Sequence, residues 1–472
     1  NLDPHSSYIP AKDLDLTNES LADKFFGVGI QFNIQEDTIH VVSVISGGPA
    51  QKVGILPGDK IVTIDDSVFV GKICTNETAI KRLRGHKDTK VKVGIKRQSS
   101  KDILPFEIVR GEIPLETIDT HYMIDDKTGY IRVDRFGEST GKEFMACLEN
   151  LHNEGVKQLI VDLRGNGGGF LNVVKTMLDN LLNKGDLILI TRGTKIRENR
   201  YNASGNKKYS GLPIVVLVDE HSASASEIFA GAIQDNDRGL IVGRRSFGKG
   251  LVQQQYPLPD NSAVRVTIAR YYTPSGRCIQ KPYGDGKDYN KDFVDRYEKG
   301  EIFDEDSMRA SIKDTVEYKT VRLGRTIYAG GGIAPDIFVP RDTVNNSPYY
   351  IQAFNKGLIY SFALKYSEDN RELLLKQGDY KKLYNYLVAN NIVDKFVAYA
   401  SAKGLERKDK EIAISRSKME MSLCAYIVRN VIGKDDHGDR PFYWILNKSD
   451  KEILQAIKAF DSQEMKEIKK SL

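Results

Sequence analysis

Five consecutive apolar residues, Ile214 to Val218, constrain this chain more than any other stretch. A strand that is apolar at every position is covered on both faces, as in parallel sheets packed between helices. A second such run, Ile160-Val161-Asp162-Leu163, lies upstream. Between the two, Val173, Met177, Leu178, Leu181 and Leu182 fall at helical spacing, and Phe144, Leu148 and Leu151 mark another amphipathic helix before them. Strands and helices in alternation predict a layered α/β core over residues 99–345.

The chain of 472 residues is too long for that core alone, and roughly two to four folding units are expected. Residues 1–25 are polar with a few apolar anchors and are expected to pack on the core. Residues 26–98 read as a small β-rich unit, with strand patterns at 28–33, 39–45, 60–64 and 91–96. Its turns are Gly47-Gly48-Pro49 and Leu56-Pro57-Gly58-Asp59, and short helices are expected at 49–54 and 76–83. From 346 to 472 Lys, Glu, Leu, Tyr and Ile dominate and strand patterns become scarce. Met419, Leu423 and Ile427 recur every four residues, and Ile453, Leu454 and Ile457 form a later stripe, so a helical extension is expected there.

Composition narrows the function classes. A net charge of +5 with no concentrated basic stretch argues against nucleic acid. Four well-separated cysteines (Cys74, Cys147, Cys278 and Cys424) have neither metal-ligand spacing nor the density of a disulfide scaffold. Seven scattered histidines include no His-Glu-x-x-His, so neither a metal nor another cofactor is expected. No apolar run reaches membrane-spanning length.

The chemistry concentrates in two segments. Ser222-Ala223-Ser224-Ala225-Ser226-Glu227 follows the Ile214–Val218 strand and opens a helix with Ile228, Phe229, Ala232 and Ile233 on one face. A nucleophile there sits among free backbone N–H groups and the positive end of the helix dipole. Ser224 is the candidate nucleophile and the Ala225 N–H the first donor to a tetrahedral oxyanion. Losing one such donor typically costs ~3 kcal/mol of barrier. A second donor comes from Asp162-Leu163-Arg164-Gly165-Asn166-Gly167-Gly168-Gly169, where Gly169 or Gly168 can turn an N–H into a cleft. With no Gly-Lys-Ser/Thr ending and no Gly-x-Gly-x-x-Gly opening a helix, phosphate cradling ranks low.

The other segment is Phe247-Gly248-Lys249-Gly250. Lys249 is the candidate base, provided burial lowers its pKa from the ordinary ~10.4. If a strand runs from Leu251 to Leu258, the even offset puts Gln253 on the face of Lys249, where its amide can orient the amine. A carboxylate beside Lys249 would raise its pKa, so Asp235 is read as structural, and His221 as a solvated loop residue. Each motif alone has a bland reading, since serine-rich helix starts are usually caps and Gly-Lys-Gly is usually a surface turn.

Taken in order, these segments resemble the tail-specific, or C-terminal processing, serine peptidases. The pieces that carry the resemblance run from Leu2-Asp3-Pro4-His5-Ser6 through the 26–98 unit, the Asp162–Gly169 and Ser222–Ile228 segments and Phe247–Gln253, to Tyr272-Thr273-Pro274-Ser275-Gly276 and Gly332-Ile333-Ala334-Pro335-Asp336. The resemblance implies a crotonase- or ClpP-like α/β peptidase core with a PDZ domain, and a serine endopeptidase working by a Ser-Lys dyad. It assigns Ser224 as nucleophile, Lys249 as base, Gln253 as supporting amide, and Ala225 and Gly169, with Gly168 behind them, as oxyanion donors. Many relatives carry Asn-Pro-Gly-Gly where this chain has Asn166-Gly167-Gly168-Gly169.

The same resemblance makes 26–98 the PDZ domain, with Gly27-Val28-Gly29-Ile30 as the loop that holds a peptide's terminal carboxylate. Protein or peptide partners with apolar C-termini are therefore expected, with an adaptor protein and a homo-oligomer as open partner classes. The resemblance also implies a bacterial periplasm or cell envelope, reached with a leader or lipid anchor not contained in these residues. Two rival readings stand beside it. One is a catalytically silent PDZ scaffold; the other is a crotonase-like acyl-transfer enzyme acting on a small thioester, for which a tail receptor would be superfluous.

Overall fold

The computed structural model describes residues 3–19, 23–35, 37–45, 47–97, 100–205, 208–284, 289, 291–312 and 316–471; Leu2 of the first motif lies outside them. The chain forms two compact units, each built from separated stretches. The first comprises Asn1–Leu21, Thr117–Thr343 and Asp436–Leu472, and the second Ala22–Glu116 and Val344–Asp435.

A six-stranded sheet organises the first unit, in the order Ile118–Met123, Thr128–Val133, Gln158–Asp162, Ile214–Val218, Gly239–Gly243, Ile337–Phe338. Its first pair is antiparallel and the remaining pairs are parallel. The apolar runs behave as their composition demands. Leu159, Val161, Ile214, Val216 and Val218 point to one face, packed with Phe144, Leu148, Val174, Met177 and Phe229 of the helices Thr140–Asn153, Leu171–Asp179 and Ala225–Asp235. Ile160, Val215, Leu217, Leu240 and Val242 point to the other, against Ile453, Ala456, Phe460, Met465 and Ile468.

That second face corrects the expected domain division. The helices Lys451–Ala459 and Gln463–Ser471 belong to the core unit rather than to a single extension over 346–472. Polar contacts fasten them: Arg164 pairs with Asp450 at 2.8 Å and with Glu452, and Glu452 also pairs with Arg244. A five-stranded antiparallel sheet of Ser7–Ile9, Leu187–Arg192, Asn199–Asn202, Leu251–Pro257 and Ala263–Tyr272 completes the unit.

In the second unit, a sheet of Ile30–Gln35, Thr38–Val44, Lys60–Ile64, Ser67–Val68, Lys90–Lys96 and Leu104–Val109 carries the helices Pro49–Lys52 and Asn76–Leu83. Its core gathers Ile39, Val41, Ile61, Ile64, Ala79, Leu83, Val91, Val93 and Ile95. Thr75 caps the second helix, accepting the Thr78 N–H at 3.2 Å. Residues 348–432 of this unit are helical, and the long helix Asp409–Ile432 is the one on which Pro348–Asn355, Leu358–Asp369 and Tyr380–Ala389 pack.

Candidate active site

Ser224 lies between the end of the Ile214–Val218 strand and the helix Ala225–Asp235. Its backbone is strained, with φ 56° and ψ −111°, a conformation that costs a non-glycine residue about 1–3 kcal/mol. The strain is held by its surroundings. The Ser224 N–H donates to Glu227 Oε2 at 2.9 Å, and the Ser224 carbonyl accepts the Tyr271 hydroxyl at 3.0 Å.

The same two residues hold Lys249. Glu227 Oε2 accepts the Lys249 N–H at 2.8 Å, and the Tyr271 hydroxyl also meets the Lys249 carbonyl. Glu227 Oε1 takes the Gly248 N–H at 2.7 Å and the Ser246 hydroxyl at 2.6 Å. Glu227 is wholly buried. Burial pushes its carboxyl above the ordinary range, while the Ser246 hydroxyl and the N–H groups of Lys249, Gly248 and Ser224 pull it back. A glutamate at the third position of a helix reads in sequence as part of a capping box, and Tyr271 lies 47 residues from Ser224 in the chain, so neither was singled out from sequence.

Lys249 itself is depressed below the ordinary lysine range, first by burial and then by the charge of Arg265, with Glu227 opposing. Its amine makes no hydrogen bond among the described residues. Lys249 precedes the strand Leu251–Pro257, whose register against Ala263–Tyr272 shifts at Val252/Gln253 because Ile268 is the extra residue on the partner strand. Gln253 Nε2 donates to the His5 carbonyl at 2.6 Å.

The glycine segment runs beside the serine. A Cβ built on Gly168 would stand 2.7 Å from Ser224 Cβ and 2.9 Å from the Ala225 nitrogen, so only glycine brings this backbone so close. Gly168's own N–H is committed to Asn166 Oδ1 at 2.8 Å, which removes it as an oxyanion donor. The N–H groups of Ala225 and Gly169 have no acceptor among the described residues. Asn166 is buried and anchored from Nδ2 to the Val133 carbonyl at 2.9 Å. Beneath it Asp162, also buried, binds Arg164 and Arg132, whose charges hold its carboxyl well below the usual range against its burial.

Asp235 is structural, buried in an ion pair with Arg277 at 2.7 Å and accepting the Ser275 hydroxyl at 2.6 Å. His221 is exposed and stacks on Phe293 at 5.5 Å. Among the described residues no group of three or more His, Cys, Asp or Glu could hold a metal ion.

In the second unit, Val28, Gly29 and Ile30 line a groove of about 310 Å³ together with Phe25, Phe32, Ile80, Leu83 and Arg84. Gly27 lies just outside it, paired with Gly111 at the end of the strand Lys24–Gly27. Gly29 has φ +79°, and Arg84 sits over the Phe25 ring at 4.2 Å.

Residues 127–289 match the sequence pattern described as Peptidase family S41, and residues 27–105 that of a PDZ domain. Residues 349–433 match a family of unknown function. The chain is 38% identical over 285 residues to the carboxy-terminal-processing protease of Bartonella bacilliformis, covering 59% of this chain and 64% of that protein. It is 34% identical over 282 residues to the carboxy-terminal processing protease CtpB of Bacillus subtilis, covering 59% and 58%. The matches thus span less than two thirds of the length of these relatives. A solved photosystem II D1 C-terminal processing protease is similar at 25% identity with a TM-score of 0.39, over 72% of this chain and 79% of that one. The S41 match contains Asp162, Gly168, Gly169, Ser224, Glu227, Lys249, Gln253 and Tyr271.

Proposed function

We propose that this chain is a serine endopeptidase that cleaves proteins bearing apolar C-terminal tails. The observation that carries the reading is the shared clamp: Glu227 and Tyr271 each hold the backbones of both Ser224 and Lys249. Ser224 Oγ attacks the scissile carbonyl carbon, and Lys249, whose burial favours the neutral amine, takes the hydroxyl proton. The N–H groups of Ala225 and Gly169 receive the oxyanion. Lys249 then returns its proton to the leaving amine, and water releases the acyl group by the same steps.

The PDZ domain serves as tail receptor. Its loop at Val28 and Gly29 meets the terminal carboxylate with Arg84 close by, and the apolar groove lined by Ile30, Ile80 and Leu83 takes the last side chain. The relatives' printed names, all carboxy-terminal processing proteases, support this substrate class. Their bacterial sources support a bacterial envelope as the place of action; no helix among the described residues is long and apolar enough to cross a membrane.

The test is cleavage of an unstructured protein with an apolar C-terminus by the wild-type chain, Ser224→Ala and Lys249→Ala. Both variants are expected to lose cleavage while keeping the wild-type melting temperature. A wild-type chain that binds the tail without cutting it would instead be a silent scaffold. Full activity in Lys249→Ala with loss in His221→Ala would overturn the dyad.

A further inference from the structure

The Asp3–Ser6 motif has no part in the reaction described so far, yet it enters the site. Asp3 accepts the His5 N–H at 2.9 Å and the Ser6 hydroxyl at 2.6 Å, and Ser6 Oγ accepts the Thr267 N–H at 3.1 Å. The strand Ser7–Ile9 then pairs antiparallel with Ala263–Arg265. The His5 carbonyl holds the Gln253 amide at 2.6 Å, and its ring meets Tyr289 edge-on with centroids 4.7 Å apart. The imidazole is therefore fixed by its own turn, by the sheet and by Tyr289.

Within this frame His5 Nε2 is buried and has no hydrogen-bond partner among the described residues. Buried polar atoms left unpaired in a well-ordered site call for an explanation. The charged groups around the ring are Asp3 on its own turn, Lys249 and Lys281. Lys281 is already occupied, 3.2 Å from Asp292 and 4.0 Å from the centroids of both Phe247 and Tyr289. Lys249 is not. When it takes the Ser224 proton it becomes an ammonium with three donors, half-buried, near Arg265 and near Glu227, whose two oxygens already serve four other donors.

We propose that His5 Nε2 accepts a hydrogen bond from the Lys249 ammonium formed during acyl transfer. This requires the Lys249 stem to turn so that Nζ reaches the ring. The Oγ–H bond of Ser224 breaks as Oγ bonds the carbonyl carbon, and the proton rests on Nζ until the leaving nitrogen takes it. His5 gains no proton and acts only as acceptor, in the tautomer protonated on Nδ1. Burial and the Lys249 charge hold the imidazole below its ordinary pKa, with Asp3 opposing and Lys281 assisting, which keeps that lone pair free near neutrality. A neutral acceptor suits a base that must shed its proton again, because a carboxylate would keep Lys249 charged.

The inference rests on Lys249 being the base, and the experiment separates the two. Turnover of a tail-bearing peptide by the full chain is compared with His5→Ala and His5→Asn, and the Lys249 pKa is read in a Ser224→Ala background by pH-dependent acetylation and mass spectrometry. His5→Ala is expected to lower kcat about tenfold at unchanged KM, the worth of a hydrogen bond to a charged group. It is also expected to move the Lys249 titration to lower pH, and the amide oxygen of His5→Asn is expected to restore most of both. An unchanged kcat, or a lower kcat with an unmoved Lys249 titration, would overturn the proposal and leave His5 a packing residue. Lys249→Ala as active as wild type would instead remove the underlying assignment.

Discussion

The Glu227 carboxylate accepts the Ser224 N–H at 2.9 Å from three residues further along the helix, so one buried side chain sets the conformation of the strained serine. Its two oxygens serve four donors in all, from Ser224, Ser246, Gly248 and Lys249. Glu227→Gln replaces one acceptor oxygen with an NH₂ that must face N–H or O–H donors. Leaving buried donors unpaired costs about 1–3 kcal/mol. The expected result is a lower melting temperature together with a kcat loss of about a hundredfold, since the clamp sets both reacting residues. Thermal unfolding and peptide turnover on the same preparation check it.

Tyr271 offers a gentler perturbation. Tyr271→Phe keeps the buried ring and deletes only the hydroxyl that joins the Ser224 and Lys249 carbonyls. A neutral hydrogen bond contributes about 0.5–1.5 kcal/mol, so stability should fall only slightly. The bridge spans the two halves of the proposed dyad, so kcat should fall about tenfold while KM stays near wild type. Equal changes in kcat and melting temperature for Tyr271→Phe and for Tyr349→Phe, which alters a buried tyrosine of the second unit, would count against the bridge.

What the sequence made legible follows from range. The Ile214–Val218 run predicted a two-sided strand because the information is local. The identity of its second cover was not local: Ile453 and Ile457 showed a helical stripe, but nothing in that stripe says it packs on Val215 and Leu217 rather than on another helix. Ser224 and Lys249 stood out because their flanking glycines and helix start are contiguous with them. The partner of the Gln253 amide, the His5 carbonyl 248 residues away, leaves no local trace. Glu227 and Tyr271 act through atoms that only the fold brings together.

Lys249 ties activity to pH-dependent stability. Its pKa in the folded chain lies below the ordinary value, so between those two values the unfolded chain binds more protons, and stability rises with pH across that window. Below the window the buried charge destabilises the fold in full. Lys249→Met removes that charge and should raise the melting temperature near neutrality, each kcal/mol being worth about 2–4 °C in a domain of this size. The advantage should shrink to nothing as pH climbs toward ~10.4. Calorimetry across pH 6 to 10 tests this, and a constant difference would place the effect in packing instead.

The proposed tail recognition turns on Arg84, which lines the groove beside Val28 and Gly29 and rests on Phe25. Arg84→Ala should weaken binding of a peptide with a free apolar C-terminus by about tenfold, the worth of one charge-assisted contact. The same peptide with an amidated C-terminus should bind wild type and variant alike. Fluorescence anisotropy on the full chain reads both, and equal losses for the two peptides would assign Arg84 to the groove wall rather than to the carboxylate.

Gly168 tests the oxyanion wall directly. Its φ of +102° is one that L side chains rarely adopt, and an added Cβ would lie 2.7 Å from both Ser224 Cβ and the Ala223 carbonyl oxygen. Neither neighbour can give way, because Ala223 and Ser224 belong to the turn that Glu227 holds. Gly168→Ala should therefore displace Ser224 and the Ala225 N–H together, lowering kcat about a hundredfold or more. The strain and overlap should destabilise the fold by about 1–3 kcal/mol. At Gly167 an added Cβ meets nothing within 4 Å, so Gly167→Ala should keep the wild-type melting temperature. If the two alanine variants melted and turned over alike, the close approach of Gly168 to Ser224 would carry no weight in the site.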